Sequence, residues 1–229
     1  MGAGAIIVAA GSGERLGANL PKALVQAAGR PLVAWCAIAL SAARGVDALV
    51  IVSPPGEEKA IAAAIGDMVH VHAIVPGGAT RQRSVAAGIA ALPTDVDAIL
   101  VHDAARPLVT PVIAERVLAQ LAFHDGAIAA APVTDTLKRE GADGMIDRTI
   151  DRVGLWRAQT PQAFRADIIR RIFDEADPIE LDTATDCAGM AERRGVMVAL
   201  VNPQSPNTKV TVPADLALVE VLLAGSRIA

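Results

Sequence analysis

The sequence predicts an α/β fold with a mostly parallel sheet covered by helices on both faces. Three observations carry that reading. Short, continuous apolar runs recur through the first half of the chain, as strands buried on both sides require. Amphipathic stretches of helical length separate them, so strands and helices alternate as they do in parallel sheets. A glycine-rich loop (Gly11, Gly13, Gly17) follows the first run directly, at the strand end where such sheets bind ligands.

The first strand is read over Ile6–Ala10, and the next over Ala48–Ser53, Val69–Val75, Ala98–His102 and Ala127–Ala131. Helices are predicted between them at Leu32–Ala43, Glu57–Ile65, Arg81–Leu92 and Pro111–Phe123. The alternation fails from Val133 to Ala158. There the chain turns polar, carries Lys138, Arg139, Arg148 and Arg152, and places Gly141 and Gly144 at its middle. Residues 133–158 read as two extended stretches joined by a turn, an arm projecting from a single domain of residues 1–229. Beyond it, helices are expected near Ala166–Glu175 and Asp186–Arg194, a strand at Val196–Val201 and a last helix at Pro213–Leu223.

Composition narrows the function. The chain has 229 residues, 52% of them hydrophobic, yet no apolar run nears the roughly 18 residues that span a bilayer. The start lacks the basic region of a signal peptide, and Ile6 stands where N-myristoylation wants Ser or Thr. A soluble, cytoplasmic protein is expected. Cys36 and Cys187 form no CxxC unit and read as reduced thiols. The four histidines lack zinc-ligand spacing, and His70 and His72 alternate within an expected strand. A net charge of −4 and only 2% aromatic residues argue against a nucleic-acid surface. A small phosphorylated ligand remains compatible if cations gather at one place. Arg15, Lys22, Arg81, Arg83 and Arg106 all fall in loops or helix starts.

The glycine loop is neither of the two commonest phosphate loops. A Walker loop needs Lys after its last glycine, but Ala18 and Asn19 follow Gly17. A dinucleotide fingerprint needs a third glycine where Leu16 stands. Instead, Gly11 and Gly13 offer backbone N–H groups flanked by Arg15 and Lys22, which suits a nucleoside triphosphate. After the third strand, Gly77 and Gly78 can present backbone to a flat base edge. Ser84, near the next helix start, can cap that helix or touch the ligand. The fourth strand ends in His102-Asp103-Ala104, with Arg106 and Pro107 close behind. Asp103 is placed to hold Mg²⁺, which takes one or two protein carboxylates and fills its shell with water and phosphate oxygens. The alternative is that Asp103 pairs with Arg106. Pro107 is expected to help start the following helix.

Four segments together resemble a known family: AAGSGERLGANLPKAL, VHDAARP, DRVGLWRAQTPQAF and SPNTKVTVPADL. They are similar to the 2-C-methyl-D-erythritol 4-phosphate cytidylyltransferases of the non-mevalonate isoprenoid pathway, from about Ile6 to Glu220. Two departures are visible: Cys187 interrupts the acidic run after Thr185-Asp186, and Ala23-Leu24 follow Lys22 where the family often has glutamine. The resemblance implies a doubly wound, Rossmann-like nucleotidyltransferase fold with a projecting β-arm, and a homodimer formed by exchanged arms. It also implies the reaction of CTP with methylerythritol phosphate, with Mg²⁺ as cofactor. By position, Arg15, Lys22 and Lys209 would stabilise charge at the α-phosphate, and Asp103 would bind Mg²⁺. Ala10, Gly78 and Ser84 would read cytosine, with Gly11, Gly13, Asp103 and Ala104 completing the nucleotide site. Arg106, Thr136, Arg152, Thr160 and Thr185 would surround the sugar phosphate.

The residue types suit that chemistry in their own right. Nucleotidyl transfer needs positioning and charge stabilisation more than covalent help. No Ser-His-Asp or Cys-His spacing supplies a general base, and a phosphate nucleophile needs none. Two other readings stay open at this point. One is a cytidylyltransferase for a different polyol phosphate, such as ribitol 5-phosphate. The other is a regulatory module that binds CTP without turnover.

Overall fold

The computed structural model describes residues 2–11, 13, 16–17 and 20–225. Its strands of four or more residues are β1 (Ala3–Val8), β2 (Val46–Ser53), β3 (Ala73–Pro76), β4 (Ala98–Asp103), β5 (Gly126–Pro132), β6 (Leu137–Glu140), β7 (Ile146–Ile150), β8 (Trp156–Arg165) and β9 (Val198–Val201). Seven of them form the central sheet, in the order β9-β5-β8-β4-β1-β2-β3. Neighbours run parallel except around β8, which is antiparallel to both β4 and β5. The order β3-β2-β1-β4 is the doubly wound half expected of a nucleotide-binding sheet.

Helices α1 (Leu32–Ser41), α2 (Glu58–Ile65) and α4 (Pro111–Ala119) cover one face. The other face carries α3 (Arg81–Ala91), α5 (Ala166–Asp174) and α7 (Cys187–Arg193), with α6 (Pro178–Thr183) beside α3. Strand β1 shows why its residues are apolar throughout: Ala5 and Ile7 pack into the first layer and Ile6 into the second. Burying each such large aliphatic chain contributes about 1.5–3 kcal/mol. Cys36 lies in the first layer and Cys187 in the second, so the sheet separates the two thiols. The last helix, α8 (Pro213–Gly225), adds Val219 and Leu223 to a smaller cluster with Leu16, Val25 and Leu32.

Three expectations change. The stretch from Trp156 to Gln162, read as arm and loop, is mostly a ten-residue strand inserted into the middle of the sheet. Trp156–Ala158 pair with Pro132–Ala130, and Gln162–Phe164 pair with both neighbours. Proline argues against a central strand, but a register irregularity between Ala158 and Gln162 accommodates Pro161. His70 and His72 lie in irregular chain ahead of β3 rather than within it. Pro107 sits in a turn, and the next helix starts four residues later at Pro111, after Thr110 accepts the N–H of Ile113 at 3.3 Å.

Strands β6 and β7 form an almost wholly exposed hairpin outside the sheet, with Leu137 opposite Ile150 and Arg139 opposite Arg148. Among the described residues no helix is long and apolar enough to cross a membrane.

Candidate active site

The carboxyl ends of β1, β3 and β4 open onto a cavity of about 380 Å³, lined by Ala10, Gly11, Lys22, Gly78, Ser84, Asp103, Ala104 and Lys209 among others. One end is narrow because the backbone itself forms the wall. A Cβ on Gly77 would stand 2.5 Å from the Cβ of Ala10 and 2.8 Å from Ser84 Oγ, so only glycine fits there. Ser84 does not cap α3; Thr80 does, accepting from Arg83 N at 3.3 Å. The Ser84 hydroxyl instead donates to Thr80 O at 2.9 Å and accepts from Gly78 N at 3.2 Å, which holds the glycine turn against the cavity. Gly13 has φ +78° and packs on the Lys22 stem, where a side chain would be strained. Lys22 Nζ donates to Val210 O at 3.2 Å, tying the first loop to the segment before α8.

Charge concentrates at the other end. Asp103 accepts from Arg81 Nε at 3.0 Å on Oδ1 and from Lys209 Nζ at 2.8 Å on Oδ2. Arg106, the alternative partner for it, instead donates to Asn207 O at 2.7 Å, so the Asp103–Arg106 pairing is not formed. The reason is direction: the turn after β4 carries Arg106 away from the carboxylate and toward the 202–209 loop. Burial opposes ionisation of Asp103, but Arg81 and Lys209 outweigh it and hold the carboxyl well below the usual range. Burial lowers the Arg106 guanidinium, with Arg81 and Arg157 adding to the effect against the pull of Asp103. Arg106 Nε is buried with no hydrogen-bond partner, a donor available to an anion.

His102 lies fully buried beneath this turn. Asp103 N donates to Thr160 Oγ1 at 3.0 Å, which leaves the threonine hydroxyl to donate to His102 Nδ1 at 3.1 Å. The other ring nitrogen then donates to Arg106 O at 3.1 Å. A neutral ring satisfies every one of these contacts. Burial, helped by Arg106 and Arg81, lowers the imidazole to about 4.

A second cavity, about 210 Å³, adjoins the first and is lined by Arg106, Thr160, Gln162, Thr185 and Asp186, with Arg81, Asp103 and Lys209 on the shared side. Asp186, beside the unexpected Cys187, accepts from Gln162 Nε2 at 2.9 Å and from Gly189 N at 2.9 Å, capping α7. A third cavity of about 560 Å³ continues past Arg106 and Arg157 along the 202–209 loop. Thr136 and Arg152 are not brought here. Both are exposed on the arm and line none of the three cavities, and the Arg152 guanidinium donates to Thr134 O. Arg15 lies outside the described residues.

Asp103 is the one acidic side chain among the described residues that line the first cavity. A carboxylate has roughly four lone-pair directions, and Arg81 Nε and Lys209 Nζ occupy two of them, which leaves Asp103 room for a metal that would draw the rest of its shell from a triphosphate and water. The donor set therefore fits Mg²⁺ arriving with a nucleotide. Among the described residues no group of three or more His, Cys, Asp or Glu side chains could hold an ion by itself. Sequence reading counted Arg81 only among the cations that could gather round a phosphorylated ligand, and gave no role to Gln159 or Asn207. A usable signal existed for Arg81: a cation in the first turn of a helix opposes the helix dipole and calls for another reason to be there.

A doubly wound sheet with a backbone-walled pocket and cations converging at its carboxyl rim defines an α/β protein of the nucleotidyltransferase kind. The family model described as "IspD: 2-C-methyl-D-erythritol 4-phosphate cytidylyltransferase" matches residues 3–225, and the chain belongs to that family. It is 41% identical over 219 residues to the 2-C-methyl-D-erythritol 4-phosphate cytidylyltransferase of Parasynechococcus marenigrum, covering 96% of each chain. It is 44% identical to the bifunctional enzyme IspD/IspF of Rhodospirillum rubrum, across 96% of this chain and 57% of that one. Among solved structures, 2-C-methyl-D-erythritol 4-phosphate cytidylyltransferase from Thermus thermophilus superimposes with a TM-score of 0.77 at 31% identity, covering 96% of this chain and 98% of that one.

Proposed function

We propose that the protein transfers CMP from CTP to 2-C-methyl-D-erythritol 4-phosphate, releasing pyrophosphate. The observation that carries this reading is the seam between two cavities, one walled by Ala10, Gly78 and Ser84 and the other by Thr160, Gln162 and Thr185. Asp103 and Lys209 stand on that seam. An oxygen of the acceptor phosphate attacks the α-phosphorus, a new P–O bond forms, and the bond to the β-phosphate oxygen breaks with its electron pair leaving on pyrophosphate. Lys22 and Lys209 act on charge around the α-phosphorus, joined by Arg15. Arg106, with its unpartnered Nε, faces the acceptor. Mg²⁺, held by the triphosphate and Asp103, would neutralise phosphate charge. A binder without turnover would have no use for cations gathered at the junction of two cavities, and the family favours methylerythritol phosphate over ribitol 5-phosphate. Pyrophosphate release from CTP and Mg²⁺ with each polyol phosphate is the test. Turnover with ribitol 5-phosphate alone, or with neither, defeats the reading.

A homodimer with exchanged arms belongs to the same proposal, as does a cytoplasmic location. Support for the dimer comes from the arm, where Val153 is 83% exposed and Met145 71%. Thr136 and Arg152 also stand clear of their own chain's cavities. Mixing inactive Lys22→Ala and Arg152→Ala chains under exchanging conditions should restore roughly a quarter of wild-type activity, because half the dimers are mixed and each has one repaired site. No recovery after verified exchange places Arg152 in cis.

A further inference from the structure

We infer that Arg81 is a positioning residue that, through Asp103, sets the Lys209 ammonium on the seam between the nucleotide and acceptor cavities. The inference rests on the cytidylyltransfer reading. Arg81, Asp103 and Lys209 are the side chains common to both cavities. Arg81 opens α3, where the helix dipole disfavours a cation, and its side chain is only 21% exposed. Helix formation therefore does not explain it. Its guanidinium is held from behind as well as in front: Nη1 donates to Gln82 Oε1 at 2.8 Å, and the buried Gln82 amide in turn meets Met190 Sδ at 2.8 Å. On the cavity side Nε donates to Asp103 Oδ1 at 3.0 Å, and Nη2 stands at ion-pair distance, 3.0 Å from the same oxygen. With Oδ1 held by the Arg81 guanidinium, Oδ2 is left facing Lys209 at 2.8 Å. Lys209 needs that help, since its flexible side chain is 42% exposed. A displacement of about 1 Å at a transferring phosphorus can cost on the order of 10²-fold in rate.

The test is a double-mutant cycle on the full chain with CTP and methylerythritol phosphate. Arg81→Gln should lower kcat roughly 10- to 100-fold, the range for outer partners that orient a reactive group. CTP affinity by calorimetry should change less than about threefold, because the interaction is felt mainly in the transition state. Arg81→Lys, which keeps the charge but not the planar guanidinium, should fall between. In the Lys209→Ala background, Arg81→Gln should add less than about a twofold loss, because the two act as one unit. Full multiplication of the two losses, or an unchanged kcat in Arg81→Gln, overturns the inference. If Arg81→Gln does not fold, Arg81→Lys carries the same cycle. An active wild type with an additive cycle refutes the Arg81 role alone; an inactive wild type refutes the reaction and this inference with it.

Discussion

The two sides of the rim, proposed to take the nucleotide and the acceptor, are built from different materials. On the nucleotide side, loops following β1, β3 and β4 present small residues and backbone: Ala10, Gly11, Gly78, Ser84 and Ala104. On the acceptor side, the antiparallel β8, the segment before α7 and the turn after β4 present Arg106, Arg157, Thr160, Gln162 and Thr185. A nucleobase is flat, so backbone N–H and C=O groups can read its edge once side chains are cleared away. A polyol phosphate is flexible and highly charged, so it must be gripped by long polar side chains. The difference teaches that selectivity on the first side is damaged by adding atoms, and on the second by removing them.

The largest expected effect tests one of the charged side chains on the nucleotide side, Lys22. Lys22→Ala should lower kcat by about 10²–10³, the loss typical of one preorganised donor to developing charge. Steady-state kinetics with a raised KM for CTP and an unchanged kcat would make Lys22 a mere affinity element.

His102 joins the two sides from below, since its ring contacts Thr160 Oγ1 and Arg106 O. Its folded value of about 4 lies below the ordinary 6.5. Between those values the unfolded chain binds the proton and the folded chain does not, so stability falls as pH drops from 6.5 to 4. The loss should amount to about 3 kcal/mol. Urea unfolding at pH 7 and pH 4.5 measures it, and His102→Gln should flatten that limb; an equally steep limb in the variant assigns the loss to other groups.

Gly77→Ala should weaken CTP binding by about 1–3 kcal/mol through overpacking, with KM for the acceptor unchanged. Its methyl would collide with Ala10 and Ser84. Equal damage to both substrates would break the contrast between the two sides. The smallest effect is expected farthest from the rim: Val153→Ser should shift folding stability within about 0.5 kcal/mol while weakening dimers in sedimentation experiments. A dimer of unchanged strength would remove Val153 from the interface.

The sequence by itself determined the parallel half of the molecule. Strands β1, β2 and β4 and helices α1 to α4 lie within a few residues of their predicted limits, because continuous apolar runs and helical periodicity are local consequences of burial on one or two faces. The glycine turns were legible for a related reason: a position that tolerates no side chain must be glycine wherever the chain is cut. Tertiary structure alone decided the place of β8, whose polar and proline-bearing segment becomes a central strand only because β4 and β5 flank it. It also decided the partners of Asp103, since Arg81 stands 22 positions away and Lys209 stands 106 away. Any cation can neutralise any carboxylate, so an ion pair leaves no periodic trace in the chain. Which cation arrives is settled by where the sheet delivers the backbone, and here it delivers Arg106 to the 202–209 loop and leaves Asp103 to Arg81 and Lys209.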